Sequence, residues 1–156
     1  MSEPRTQDTQ PGAGVLRMTE RIAAPRETVF DFLVDPEKMV RWMGTEADLD
    51  ATPGGRFEIN VTGSDIASGT YLEIDPPERV VFTWGWKGSA DVSPGSSTVT
   101  VTLTADGEET ILDLHHAGLP GGADDAHQTG WTYFLDRLAT VSAGGDPGPS
   151  TAGVSQ

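Results

Sequence analysis

Hydrophobic and polar positions along this chain change period several times, and the changes divide it into elements. Over residues 15–23 they alternate, with Leu16, Met18 and Ile22 on one side and Arg17, Thr19 and Arg21 on the other. Such alternation predicts a half-buried strand. Pro25 then suits the first position of a helix, where a missing N–H costs nothing, and Val29, Phe30 and Leu33 supply that helix's buried side. Asp35-Pro36 stops it and starts a second, short piece, with Asp35 as N-cap and Pro36 at the first helical position. This piece carries Met39, Val40, Trp42 and Met43.

From Thr45 the period is two again. Ala47, Leu49 and Ala51 alternate with Glu46, Asp48 and Asp50, and Pro53-Gly54-Gly55 signals a tight turn. Residues 56–61 place Phe57, Ile59 and Val61 inward, and residues 68–74 form the next strand. The Asp75-Pro76-Pro77-Glu78 segment is a turn, because neither proline can donate to a ladder. Residues 79–87 put Val80, Phe82, Trp84 and Trp86 on one face. After a loop over 88–97, Val99, Val101 and Leu103 oppose four threonines. Asp106-Gly107 marks a hairpin. The strand over 110–116 then sets Leu112, Leu114 and His116 against Ile111, Asp113 and His115.

Residues 123–142 change to helical spacing. His127, Trp131, Phe134, Leu138 and Val141 form one stripe, with Asp125, Thr129, Thr132, Asp136 and Thr140 behind it. Asp124 and Asp125 fall in the first turn, where free N–H groups favour negative charge. Gly144-Gly145 follows the last turn, where a left-handed residue ends a helix. The order β-α-α-β6-α predicts an α+β fold: an antiparallel seven-stranded sheet with one greasy face, and one long helix to cover it.

Composition narrows what such a domain does. The 156 residues suffice for one domain, over about 15–143. Residues 1–14 and 144–156 are rich in Pro, Gly and polar side chains without apolar period, and read as disordered tails. Ten basic residues against 24 acidic ones leave a net charge of −14. A phosphate backbone or an anionic membrane surface is repelled, so neither nucleic acid nor membrane is an expected partner. There is no secretory h-region and no apolar run long enough to span a bilayer, which makes the cytoplasm the default compartment. The absence of cysteine excludes thiol chemistry.

A family resemblance rests on named residues. They are Ile22-Ala23-Ala24-Pro25 with Val29-Phe30, Trp42, and Gly54-Gly55-Arg56-Phe57. They continue through residues 69–84 (the run from Gly69-Thr70-Tyr71 to Phe82-Thr83-Trp84), His116 with Gly118-Leu119, Gly130-Trp131 and residues 135–138. The pattern resembles the helix-grip fold of the START/Bet v-like superfamily, also called SRPBCC. Within it, the chain is similar to bacterial relatives of the C-terminal (Aha-type) domain of activators of the heat-shock protein 90 ATPase. That resemblance implies a curved sheet gripping the last helix, with a cavity that in relatives holds apolar or amphipathic small molecules.

The candidate cavity residues follow from strand parity and the helix stripe. They are Phe57, Ile59, Phe82, Trp84, Trp86, Val101, Leu112, Leu114, His116, Trp131 and Phe134, with Met39 and Trp42 at the helical-pair end. Ligand pockets are apolar with a few placed polar groups, and a solid core has the same composition. Four tryptophans in one small domain favour some residual space. Gly130, beside the stripe, permits close approach of a ligand or strand. Glu73 reaches the cavity side, with Tyr71, if its strand bulges. His115 and His116 point to opposite faces, so no third ligand completes a metal site, and no cofactor motif appears. The expected function is binding of a small hydrophobic or amphipathic molecule between sheet and C-terminal helix. The alternatives are docking of a protein partner, a chaperone or regulator, and a cyclase- or hydrolase-like reaction using His116 as acid or base.

Overall fold

The computed structural model describes residues 15–61, 65–89, 92–118 and 123–147, so the proposed tails, apart from residues 144–147, lie outside the described residues. Seven strands form one antiparallel sheet: β1 Val15–Ile22, β2 Glu46–Leu49, β3 Arg56–Asn60, β4 Ile66–Asp75, β5 Arg79–Trp84, β6 Ser97–Asp106 and β7 Glu109–Ala117. Their spatial order is β1-β7-β6-β5-β4-β3-β2. The helices are α1 Arg26–Val34, α2 Pro36–Met39 and α3 Ala123–Ser142. The α+β order β-α-α-β6-α expected from the periodicity is the order found, as is the helix-grip arrangement that the family resemblance implies.

Because β1 pairs with the last strand and β2 lies at the far edge, the chain must cross the whole sheet between them. The α1–α2 pair makes that crossing. Asp35 links the two helices as foreseen: its Oδ1 accepts the Glu37 N–H at 2.9 Å, with Pro36 behind it in the first turn. Pro25 differs from expectation. Its extended ψ of 151° makes it the N-cap, and its carbonyl accepts from both Thr28 and Val29.

Strand alternation holds on β3, β6 and β7, where Phe57, Ile59, Val99, Val101, Leu103, Leu112, Leu114 and His116 are all buried. It fails on β4. The register with β5 slips between Tyr71 and Glu73, a bulge that turns one extra residue outward. Leu72 is therefore 51% exposed and Tyr71 fully buried. Glu73 stays outside, its carboxylate 3.3 Å from Arg79 Nε, so the bulge brings in Tyr71 without the acid.

Helix α3 lays Trp131, Phe134, Leu135, Leu138 and Val141 against the sheet, with Asp136 and Thr132 in solvent. Each such side chain stabilises the fold by about 1.5–3 kcal/mol. Gly144 (φ 92°) ends the helix, and Gly145 N–H returns to the Thr140 carbonyl at 2.9 Å. The side chains of Asp124 and Asp125 lie outside the described residues, so their first-turn role is not part of this picture.

Candidate functional site

The predicted site residues converge, in two groups. Trp42, Phe57, Phe82, Val101, Leu112, Leu114 and Trp131 surround the centre of the sheet–helix interface, with Met39 at the helical-pair end. Phe57 and Phe82 stack there at 4.1 Å, and Tyr71 meets the Phe57 ring edge-on at 5.5 Å. Trp42 donates its indole N–H to the Phe32 carbonyl at 2.8 Å, and Tyr71 donates its hydroxyl to the Leu33 carbonyl at 3.2 Å. The expected cavity is closed at this point. About 10 Å³ remains between these side chains, room for one water at most.

The second group lies at the Trp84–His116 end. Strand parity brings Trp84 on β5 and His116 on β7 to one face, and the indoles of Trp86 and Trp131 stand 5.3 Å from that of Trp84. Trp131 Nε1 donates to His116 Nδ1 at 3.1 Å. An indole nitrogen only donates, so the His116 proton sits on Nε2. That Nε2–H donates to Ser97 Oγ at 2.8 Å, and Ser97 donates to the Trp84 carbonyl at 2.7 Å. One directed chain thus runs from α3 through β7 and β6 to β5. Burial, reinforced by the His127 ring 5.2 Å away, pushes the His116 pKa down to about 3 and keeps the ring neutral. A neutral imidazole with both nitrogens bonded has no lone pair for a substrate proton unless the chain opens.

His127, half-buried at the start of the helix stripe, accepts the Trp86 indole N–H on Nε2 at 3.0 Å. Trp84 breaks the pattern of satisfied groups. Its indole N–H is buried and has no acceptor among the described residues. An N–H left so costs about 1–3 kcal/mol.

The remaining predicted residues sit apart. Phe134 packs edge-on to Tyr133 at 5.0 Å, further along α3. Ile59, fully buried on the same face of β3 as Phe57, borders a separate groove between α2 and the β2–β3 edge. Gly130 has nothing within 4 Å of where a Cβ would stand, so no close approach required a glycine there. His115 is exposed on the opposite face, and the described residues contain no group of three metal-ligating side chains.

Tyr71, expected on the cavity side only if its strand bulged, is brought in by that bulge. Parity and stripe reading missed two residues of this region. Ser97 carries no apolar signal. Arg137, on the same helix and 6% exposed, donates Nε to the Trp42 carbonyl at 3.0 Å and Nη1 to the Pro147 carbonyl at 3.1 Å. An arginine between Asp136 and Leu138 reads as a surface residue unless the carbonyls it meets are known.

Known proteins resemble the chain over nearly all of this architecture. The family described as "Activator of Hsp90 ATPase homolog 1-like protein" matches residues 23–143. The human protein "Activator of 90 kDa heat shock protein ATPase homolog 1" is 27% identical over 118 residues, covering 69% of this chain and 33% of its own length. The chain therefore spans about a third of the curated relatives it matches. Among solved structures, an AHSA1-like protein from Rhizobium etli is 46% identical with a TM-score of 0.70, covering 86% of this chain and 85% of that one. CalU16 from Micromonospora echinospora is 31% identical with a TM-score of 0.69, covering 86% and 77%.

Proposed function

This chain belongs to the family of Activator of Hsp90 ATPase homolog 1-like proteins, and from that premise we propose that it binds a small amphipathic molecule at the tryptophan–histidine end of the sheet–helix interface. The observation that carries the reading is the Trp84 indole N–H, buried among the rings of Trp86, His116 and Trp131 without an acceptor. A ligand bringing a carbonyl or ether oxygen to it recovers the cost of that orphaned donor, while its apolar body replaces ring–ring contacts. The roughly 10 Å³ of space inside means that binding parts the helix from the sheet locally. The half-buried Trp86–His127 pair is the place where the interface opens with least loss of buried apolar contact.

Titration of the protein with a library of aromatic ketones and fatty acids, read by tryptophan emission and by melting temperature, tests this. A binder shifts both, by an amount that grows with ligand concentration. Trp84→Phe retains the fold and weakens acceptor-bearing ligands more than pure hydrocarbons. A library in which no compound raises the melting temperature overturns the reading.

A second reading follows from the relatives' names: the chain acts on a chaperone, as the human activator's name describes for that protein. It predicts that adding the chain raises the ATPase rate of a purified Hsp90. A reaction using His116 has less support, since both of its ring nitrogens are committed.

A further inference from the structure

A wide departure from a closed surface lies at the open edge of the sheet. A groove of about 490 Å³ runs between α2 and the β2–β3 edge. Val40, Ala47 and Ile66 contribute its apolar wall, and Glu37, Glu46, Asp48 and Glu58 its rim, with no Lys or Arg lining it. Asp48 and Glu58 each meet one cation, Arg56 at 2.8 Å and Lys87 at 3.0 Å. Glu37 and Glu46 are exposed and form no ion pair among the described residues.

The strand beside this groove is unpartnered on one side. β2 is an edge strand, and among the described residues only β3 pairs with it. Asp50 N–H donates to the Arg56 carbonyl at 2.8 Å. Antiparallel alternation carries that inward bonding to Asp48 and Glu46, so Ala47 and Leu49 aim their N–H and C=O groups at the open edge. An added strand there continues the sheet. Its outward side chains stand beside Glu46 and Asp48, and its inward ones over the apolar wall.

We propose that the β2 edge binds an extended, basic–apolar segment of a partner protein by strand addition. Charge selects the occupant. A second copy of this chain would set Glu46 and Asp48 against like charges, which disfavours pairing. A segment alternating Lys or Arg with Val or Ile meets carboxylates on one face and the groove on the other. The proposal is independent of the ligand site at Trp84, which lies on β5, three places along the sheet from β2.

The test uses the full chain and a fluorescent peptide of Lys-Val repeats, followed by polarisation. The expected result is saturable binding that weakens at least about tenfold in Glu37→Lys/Glu46→Lys, while Glu78→Lys/Glu108→Lys, with the same change of net charge in two distant turns, leaves it within about twofold. The same peptide with alternate backbone nitrogens methylated keeps every charge and loses strand pairing, so its binding to the unaltered protein is expected to vanish. Equal weakening in both double variants reduces the interaction to net charge and overturns the proposal. So does undiminished binding of the methylated peptide, or no binding of the first one. The methylated peptide decides the matter even if a double variant fails to fold.

Discussion

Ser97→Ala removes one oxygen and leaves the buried His116 Nε2–H without its acceptor, while the Trp84 carbonyl loses its side-chain bond but stays opposite Ser97 in the β5–β6 ladder. The expected loss is about 1–3 kcal/mol, the cost of one orphaned buried donor, measured by urea denaturation. His116 also makes stability depend on pH. Folding lowers its pKa from 6.5 to about 3, so below pH 6.5 the unfolded chain takes up a proton that the folded chain refuses. Stability therefore falls as the pH drops from about 6.5 toward 3 and is unaffected by this group above that window. Denaturant midpoints across pH 4–7 check the slope, and His116→Phe flattens it. The position of His116 on an apolar face was legible from strand alternation. Its tautomer and its neutrality were not, because they depend on an indole 15 residues later in the chain and a hydroxyl 19 residues earlier.

At the scale of elements, α3 carries opposite lessons at two of its residues. Gly130 meets no neighbour, so Gly130→Ala relieves the entropy cost of a glycine in a helix and raises stability by about 1 kcal/mol, read as a higher melting temperature. Arg137 fastens the helix to the end of the α1–α2 crossing and to the segment after itself through carbonyls of Trp42 and Pro147. Arg137→Met keeps the apolar stem and strands those acceptors. The expected cost is about 2–3 kcal/mol, because bonds from a charged donor are the stronger kind. The helix itself was readable from its three-and-four spacing. Its fastening was not, since a carbonyl leaves no trace in side-chain patterning. On β4 the same limit appears differently. Alternation places Leu72 and Ile74 together on one face, and a register slip of one residue moves Leu72 into solvent and Tyr71 into the core.

Across the whole molecule, the charge of −14 works against compactness. Glu20 concentrates the effect. It lies on the same side of β1 as Met18 and Ile22, half-buried, and burial followed by the Asp136 carboxylate on α3 raises its pKa above 4.5. A raised carboxylate favours the folded state most while protonated, so its contribution is complete below pH 4.5 and is lost as the pH rises through the folded value. Glu20→Gln is therefore expected to raise the melting temperature at pH 7 and to leave it unchanged near pH 3. Added salt narrows the gap at pH 7 by screening the Asp136 contribution.

Periodicity alone determined the seven strands, the order β-α-α-β6-α and the inward side of nearly every strand, because burial of one face is written into each element locally. An α+β fold with the helix covering the sheet followed, since a one-faced sheet and one striped helix have few ways to hide their apolar sides together; the helix-grip form was what the family resemblance implied. Whether a gap remains between them was decided only in three dimensions. Packing depends on how the Phe57, Phe82 and Trp131 rings interlock across elements distant in sequence, and here they close the space to about 10 Å³. The unsatisfied Trp84 N–H and the bare edge of β2 arise in the same way, from what neighbouring strands fail to provide.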